Sequence, residues 1–139
     1  MACLETFASI RVLSTSMHPD EITRLLEIEP TVARPLDPSS KYRSRRESHY
    51  WDWESRASAP LQDGRAHITA VLDVLDGKES ALSHLKEHGC EIDICCYWVS
   101  SGQGGPSLDS PTLERLARLG LPIWWDVYFG NVEEYEGGA

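Results

Sequence analysis

Three aspartates, Asp52, Asp93 and Asp126, lie on segments dense in aromatic side chains, beside Tyr50, Tyr97, Trp124 and Tyr128. Carboxylates drawn into one cleft can divide acid–base work or hold a magnesium ion. That chemistry needs a cleft and mutual distances, and strand parity supplies neither. His84 and His88 stand four apart in a helical pattern and share a side, which makes half of a metal site. No third ligand follows from spacing, and solvated helix histidines are the commoner outcome. His18 and His49 imply no partner. Gly102, Gly104 and Gly105 precede a helix start, where anions are welcome, but the Gly-Lys-Ser/Thr ending of a phosphate loop is missing. A connector is the better reading of that stretch. No nucleophile elbow occurs, and no Ser or Cys is tied to a His by recognisable spacing. The residues therefore nominate no catalytic side chain, no metal site and no cofactor.

The four cysteines, Cys3, Cys90, Cys95 and Cys96, contain no Cys-x-x-Cys pair. Cys95 and Cys96 are neighbours on an expected strand, so their side chains point to opposite faces. Small hydrophobes in reduced form are the expectation.

Charge narrows the classes of partner. The chain of 139 residues carries a net charge of −9, which repels nucleic acid and anionic membranes alike. Arg34, Lys41, Arg43, Arg45 and Arg46 against Asp37 give residues 31–46 a local charge of +4, leaving −13 on the rest. The run Lys41-Tyr42-Arg43-Ser44-Arg45-Arg46 either grips an anion, lies solvated, or folds back on the protein's own acidic surface. No apolar stretch approaches the roughly 18 residues of a membrane span. Met1-Ala2-Cys3-Leu4-Glu5 lacks the basic start and apolar run of a leader, so a cytoplasmic location is expected.

The elements that must position these side chains follow from periodicity. Residues 6–13, 49–55, 90–100 and 122–129 alternate as strands. A helix opens at Pro19, where proline suits the first position and Asp20 and Glu21 suit the dipole; Pro30 stops it. Residues 31–46, with Pro35 and Pro38, read as a long loop. Two helical stripes follow, Ile68-Val71-Leu72-Leu75 and Ala81-Leu82-Leu85, and a last helix from Ser110-Pro111 buries Leu113, Leu116 and Ala117. Each end of the chain thus has a strand, a proline-started helix and a strand. The expectation is a single α+β domain over residues 1–139, with its core at 6–130 and a flexible acidic tail at 131–139. Its architecture would be a four-stranded antiparallel sheet with helices on one face, a ferredoxin-like split βαβ fold with a helical insertion between the second and third strands. Those two strands are expected to run antiparallel.

Strand parity sorts two faces. Ala8, Ile10, Val12, Trp51, Trp53, Ile92, Ile94, Cys96, Trp98, Ile123, Trp125, Val127 and Phe129 form an apolar set that must meet the helices. Ser9, Arg11, Tyr50, Asp52, Glu54, Glu91, Asp93, Cys95, Tyr97, Trp124, Asp126 and Tyr128 form the other, where aromatics and acids interleave. A face left free by the helices meets water or a partner, and Tyr and Trp are the side chains that anchor interfaces. RNA-binding sheets pair such aromatics with basic residues; here the companions are acids, so RNA is disfavoured. On a solvated reading, Arg11 neutralises Asp93 and Asp126.

The segments His18-Pro19-Asp20-Glu21-Ile22-Thr23, Leu26-Glu27-Ile28-Glu29-Pro30-Thr31, Trp51-Asp52-Trp53-Glu54-Ser55, Gly89-Cys90-Glu91-Ile92-Asp93 and Leu116-Ala117-Arg118-Leu119-Gly120-Leu121-Pro122 occur in order. With Asp126-Val127-Tyr128-Phe129, the chain over roughly residues 6–130 resembles domain-of-unknown-function family 4279. The resemblance implies a bacterial source and no assigned activity, and it carries over no catalytic residue. Small acidic bacterial proteins of this sort are often immunity or antitoxin partners, which is analogy and not inference from a site. The leading expectation is a non-catalytic module whose acidic–aromatic face, centred on Arg11, Tyr50, Asp52, Asp93, Tyr97, Trp124, Asp126 and Tyr128, binds a basic protein. The alternatives are an enzyme or small-ligand binder using the same carboxylates, and a homodimer through the same face.

Overall fold

A computed structural model describes residues 3–130; the acidic tail lies outside the described residues. The longest strand, β1 (Cys3–Ser14), sits at the centre of the sheet. It leads into α1 (Pro19–Leu26), where His18 Nδ1 accepts the Asp20 amide at 3.1 Å and so caps the helix start. Glu27 ends α1 in the left-handed region, at φ 56°.

The stretch expected to be a long loop contains two short elements, β2 (Val32–Arg34) and α2 (Arg43–Glu47). Three residues between Pro30 and Pro35 are too few for periodicity to register. Next come β3 (His49–Glu54), α3 (Gly64–Val74), α4 (Glu79–Glu87), β4 (Glu91–Ser100), α5 (Ser110–Leu119) and β5 (Ile123–Phe129). Gly77, at φ 75°, turns the chain between α3 and α4. Asp109 caps α5 through the Thr112 amide, and Gly120 closes it at φ 64°.

The fold is α+β, built on one mixed five-stranded sheet of order β2-β3-β1-β4-β5. This corrects the expectation of four antiparallel strands. β1 pairs antiparallel with both β3 and β4, β2 pairs antiparallel with β3, and β5 runs parallel to β4. The strands at 49–54 and 91–100 therefore run in the same direction with β1 between them, not antiparallel as expected. Counting helices misleads here because α3 packs along β1 whereas α4 packs against α1 instead of returning along the sheet.

One face of the sheet carries the core. Ala8, Ile10, Val12, Trp51 and Ile94 are sealed under Ile22 and Leu26 of α1, Ile68 and Val71 of α3, and Leu82 and Leu85 of α4. Each such Val, Leu or Ile side chain contributes about 1.5–3 kcal/mol by leaving water. Trp51 also donates its indole N–H to Thr23 Oγ1 at 2.9 Å, which ties β3 to α1. All four cysteines are buried and free, and burial pushes the Cys95 and Cys96 thiols up to about 11 and about 12.

Two expectations about burial fail. In α5 the buried residues are Thr112 and Leu116, while Leu113 and Ala117 face solvent. The helix is rotated so that the line through Thr112 and Leu116, four residues apart, meets the protein and Leu113 does not. In β5, Val127 and Phe129 share the parity of the core yet are 62% and 80% exposed. They lie on an edge strand, towards the end that the helices do not cover. Among the described residues, no helix is long and apolar enough to cross a membrane.

Candidate functional site at the open sheet face

The strand register brings the nominated residues onto one surface. Arg11 on β1 stands level with Asp52 on β3 and Asp93 on β4. Tyr97 stands level with Asp126, Cys95 with Trp124, and Val99 with Tyr128. The three aspartates nevertheless have three different environments.

Asp93 is held by Arg11, which donates from Nε and Nη2 at 2.8 and 2.7 Å in a two-pronged pair. Both side chains are mostly covered, and the hydrogen bonds to Asp93 hold the guanidinium's proton more tightly than usual. The same guanidinium lies 4.9 Å from the Trp124 ring centre. Asp52 is buried. It accepts the Tyr50 hydroxyl at 2.6 Å and the Val32 amide at 3.1 Å, while burial raises its carboxyl above the usual range. Tyr50 is pushed up in turn, by burial and then by that hydrogen bond. Asp126 lies beside the Tyr128 hydroxyl, and its carboxylate raises the phenol. Arg11 thus pairs with Asp93 and forms no ion pair with Asp126.

Distances follow from the lattice of the sheet. Asp52 and Asp93 are two strand spacings apart, about 9–10 Å, and Asp93 and Asp126 are offset by about 13 Å along the parallel pair. Retaining glycoside chemistry wants carboxyls about 5 Å apart, and inverting chemistry wants both open to substrate. One member of the nearer pair is buried and the other is bound to arginine. Asp52 ties β3 to β2 and Asp93 ties β4 to β1, so both acids of the nearer pair are satisfied locally.

The face continues as a row of aromatic rings, with Asp126 level with Tyr97 and with Arg56 paired to Glu5 and Glu54. Arg56 lies 4.0 Å over Phe7, Phe7 packs on Tyr97 at 4.9 Å, and Tyr97 on Tyr128 at 5.4 Å. Phe7 shares the parity of Arg11 and could have been placed there from sequence. Arg56 comes from the turn after β3, and no periodic signal predicts it. At the β5 margin, Trp124 and Tyr128 are half exposed on this face, with Val127 and Phe129 exposed on the other.

Sequence spacing also missed a serine–histidine contact. Ser55 Oγ lies 2.6 Å from His67 Nδ1, and His67 Nε2 lies 2.9 Å from the Pro60 carbonyl. Donation from Nε2 to that carbonyl fixes the tautomer, so Nδ1 accepts from the Ser55 hydroxyl, which also accepts the Ala8 amide at 2.9 Å. A nucleophile–base pair has this geometry. Here both residues are sealed, at 0% and 1% exposure, and the third partner is a carbonyl where a triad has a carboxylate. The contact ties the end of β3 to β1 and α3.

The remaining candidates are brought together less fully. His84 and His88 stack at 4.2 Å, and His88 Nδ1 lies 2.9 Å from the His84 carbonyl. Among the described residues, no group of three or more His, Cys, Asp or Glu side chains is placed to hold a metal ion. The basic segment folds over the β2–β3 end of the open face. Lys41 and Arg45 stack on Tyr42, Arg43 pairs with Glu47 at 2.9 Å, and Arg46 donates to the Ser40 carbonyl at 2.9 Å.

No curated protein and no solved structure matches this chain. Over residues 4–130 it matches the family described as Domain of unknown function (DUF4279), and the chain belongs to that family.

Proposed function

We propose that the chain is a non-catalytic protein-binding module whose contact surface is β5 with the aromatic margin of the open face, and whose partner is a basic protein, in the manner of an immunity protein or antitoxin. The observation that carries this reading is the state of β5. Trp124, Val127, Tyr128 and Phe129 are exposed on a seven-residue strand, and among the described residues no strand pairs with its outer edge. An unprotected, apolar edge is a template for an added strand. Covering one such large side chain gains about 1.5–3 kcal/mol. Asp126 on the same strand and the chain's net charge of −9 favour a basic partner. The satisfied acids further in, Asp52 and Asp93, support the face from beneath. Their spacing lends little to an enzyme built on paired carboxylates.

Co-expression with the protein encoded by the neighbouring gene, followed by co-purification, tests this. The expected result is a complex that Trp124→Asp with Phe129→Asp abolishes while circular dichroism stays unchanged. Absence of a complex, or one indifferent to those substitutions, defeats the proposal. The open edge also favours a second reading, a homodimer through antiparallel β5 strands. Sedimentation over a range of concentrations separates the two, since a strict monomer rules the dimer out. For the fold, the order β2-β3-β1-β4 with alternating directions supports a ferredoxin-like unit extended by α5 and β5.

A further inference from the structure

We infer that the pocket between the basic loop and the β2–β3 end of the sheet is a binding site for a small organic oxyanion, a carboxylate or phosphate monoester with an apolar body. The pocket encloses about 270 Å³. It is built by the loop turning back on the sheet: the Asp37 amide donates to the Arg45 carbonyl at 2.8 Å, and the Leu36 amide donates to His49 Nδ1 at 2.9 Å. Leu13, Pro35 and the Tyr50 ring supply an apolar wall, and Arg34 and Arg45 supply the charge.

These two arginines are set up differently from six of the other eight in the chain. Arg11, Arg24, Arg43, Arg56, Arg115 and Arg118 each hold a carboxylate. Arg34 and Arg45 have no carboxylate within 4.0 Å among the described residues, and neither side chain has a hydrogen-bond partner there. Each lies instead on a tyrosine ring, Arg34 on Tyr50 at 4.6 Å and Arg45 on Tyr42 at 5.0 Å. Stacking fixes the plane of a guanidinium and leaves its N–H edge free, which is the geometry that grips carboxylate or phosphate in two prongs. Arg34 feels the buried Asp52 charge at longer range, but neither guanidinium makes a close carboxylate pair, and in a chain of net charge −9 two such groups on one pocket mark a place for a negative ligand. Asp37 also lines the pocket, but its carboxylate is engaged by the Ser39 amide and hydroxyl at 3.0 and 2.7 Å. The small volume limits the ligand to about the size of one ring with its anionic head. This site lies at the opposite end of the sheet from β5 and does not depend on the partner proposed there.

The test is titration of the full chain, followed by NMR amide shifts, with phenyl phosphate, benzoate, inorganic phosphate and uncharged benzyl alcohol. Phenyl phosphate or benzoate should shift residues 33–37 and 44–50, weakening as salt rises. Arg34→Met with Arg45→Met should weaken binding by at least roughly tenfold, and the double lysine variant should fall between, because lysine keeps the charge without the fork. Both arginines are exposed, so these variants should retain the wild-type spectrum elsewhere. No shifts with either organic anion, or binding unchanged in the methionine variant, overturns the site. Inorganic phosphate binding as tightly as phenyl phosphate, or benzyl alcohol binding as well as benzoate, overturns the assignment of an organic anion.

Discussion

The two edges of the sheet are managed in opposite ways. At one edge, β2 is three residues long, is followed at once by Pro35, carries Arg34, and has the basic loop folded beside it. Short length, proline and charge are the usual means of keeping an edge from pairing with another chain. At the other edge, β5 is seven residues of Ile-Trp-Trp-Asp-Val-Tyr-Phe with no proline and no basic residue. Its end projects apolar side chains on both faces. Among the described residues the fold thus blunts one edge and leaves the other without a pairing strand, and the proposed association rests on that asymmetry. Between the edges, the centre of the open face is closed upon itself by Arg11, Asp93, Asp52 and Tyr50.

The strongest way to break this comparison is to set the core against the bare edge. Trp51→Ala should cost about 3–5 kcal/mol in urea unfolding, since it empties a sealed site and orphans Thr23. Phe129→Ala should stay within about 0.5 kcal/mol in the isolated chain, because nothing packs on an exposed side chain. A core-sized loss at Phe129 would mean that the edge is packed, and the asymmetry would be gone.

A smaller effect sharpens the contrast between centre and margin. Arg11→Met leaves Asp93 without its two-pronged partner on a mostly covered surface, which should cost about 2 kcal/mol. Asp126→Asn, at the margin, should change stability by less than about 0.5 kcal/mol by the same denaturation measurement. Equal costs would show that the acids of the face form one network and not separate settings.

The smallest effect concerns Asp52. Tyr50→Phe removes one hydrogen bond to a buried carboxylate and should cost about 1 kcal/mol at neutral pH. Burial raises the Asp52 carboxyl above 3.8 in the fold, so the folded state holds that proton more tightly than the unfolded chain does. Its contribution is therefore fully present below pH 3.8 and is lost as pH rises through the folded value. Carbon-13 NMR of the carboxyl should find its midpoint above 3.8, and higher still in Tyr50→Phe. A midpoint at or below 3.8 would mean that the hydrogen bonds from Tyr50 and Val32 and the nearby arginines outweigh burial, and would overturn the stated direction.

Much of the architecture was legible in the sequence because it rests on local, periodic signals. The alternation through Ala8, Ile10 and Val12, the proline at the start of α1, and the glycines after α3 and α5 each act within a few residues. Strand parity then named Arg11, Asp93, Trp124 and Tyr128 as members of one face, since side chains in a strand must alternate. The nomination failed where the cause is not local. β2 has too few residues to carry a period and exists because β3 offers it a partner. Leu113 has a core residue's chemistry, but the orientation of α5 turns it outward. Ser55 and His67 meet only because β3 and α3 do.

Sequence by itself determined the composition of the open face, the acidity of the chain and the apolar stripes that drive collapse. These follow from side-chain chemistry and from periods of 2 and 3.6 residues. Tertiary structure alone decided which acids are spent and which arginines are free, because a charge is satisfied by whatever the fold brings within a few ångströms. It also decided that, among the described residues, the outer edge of β5 and not the centre of the face lacks a neighbour. An edge is defined by the absence of a neighbour, and absence of a neighbour is a property of the whole sheet.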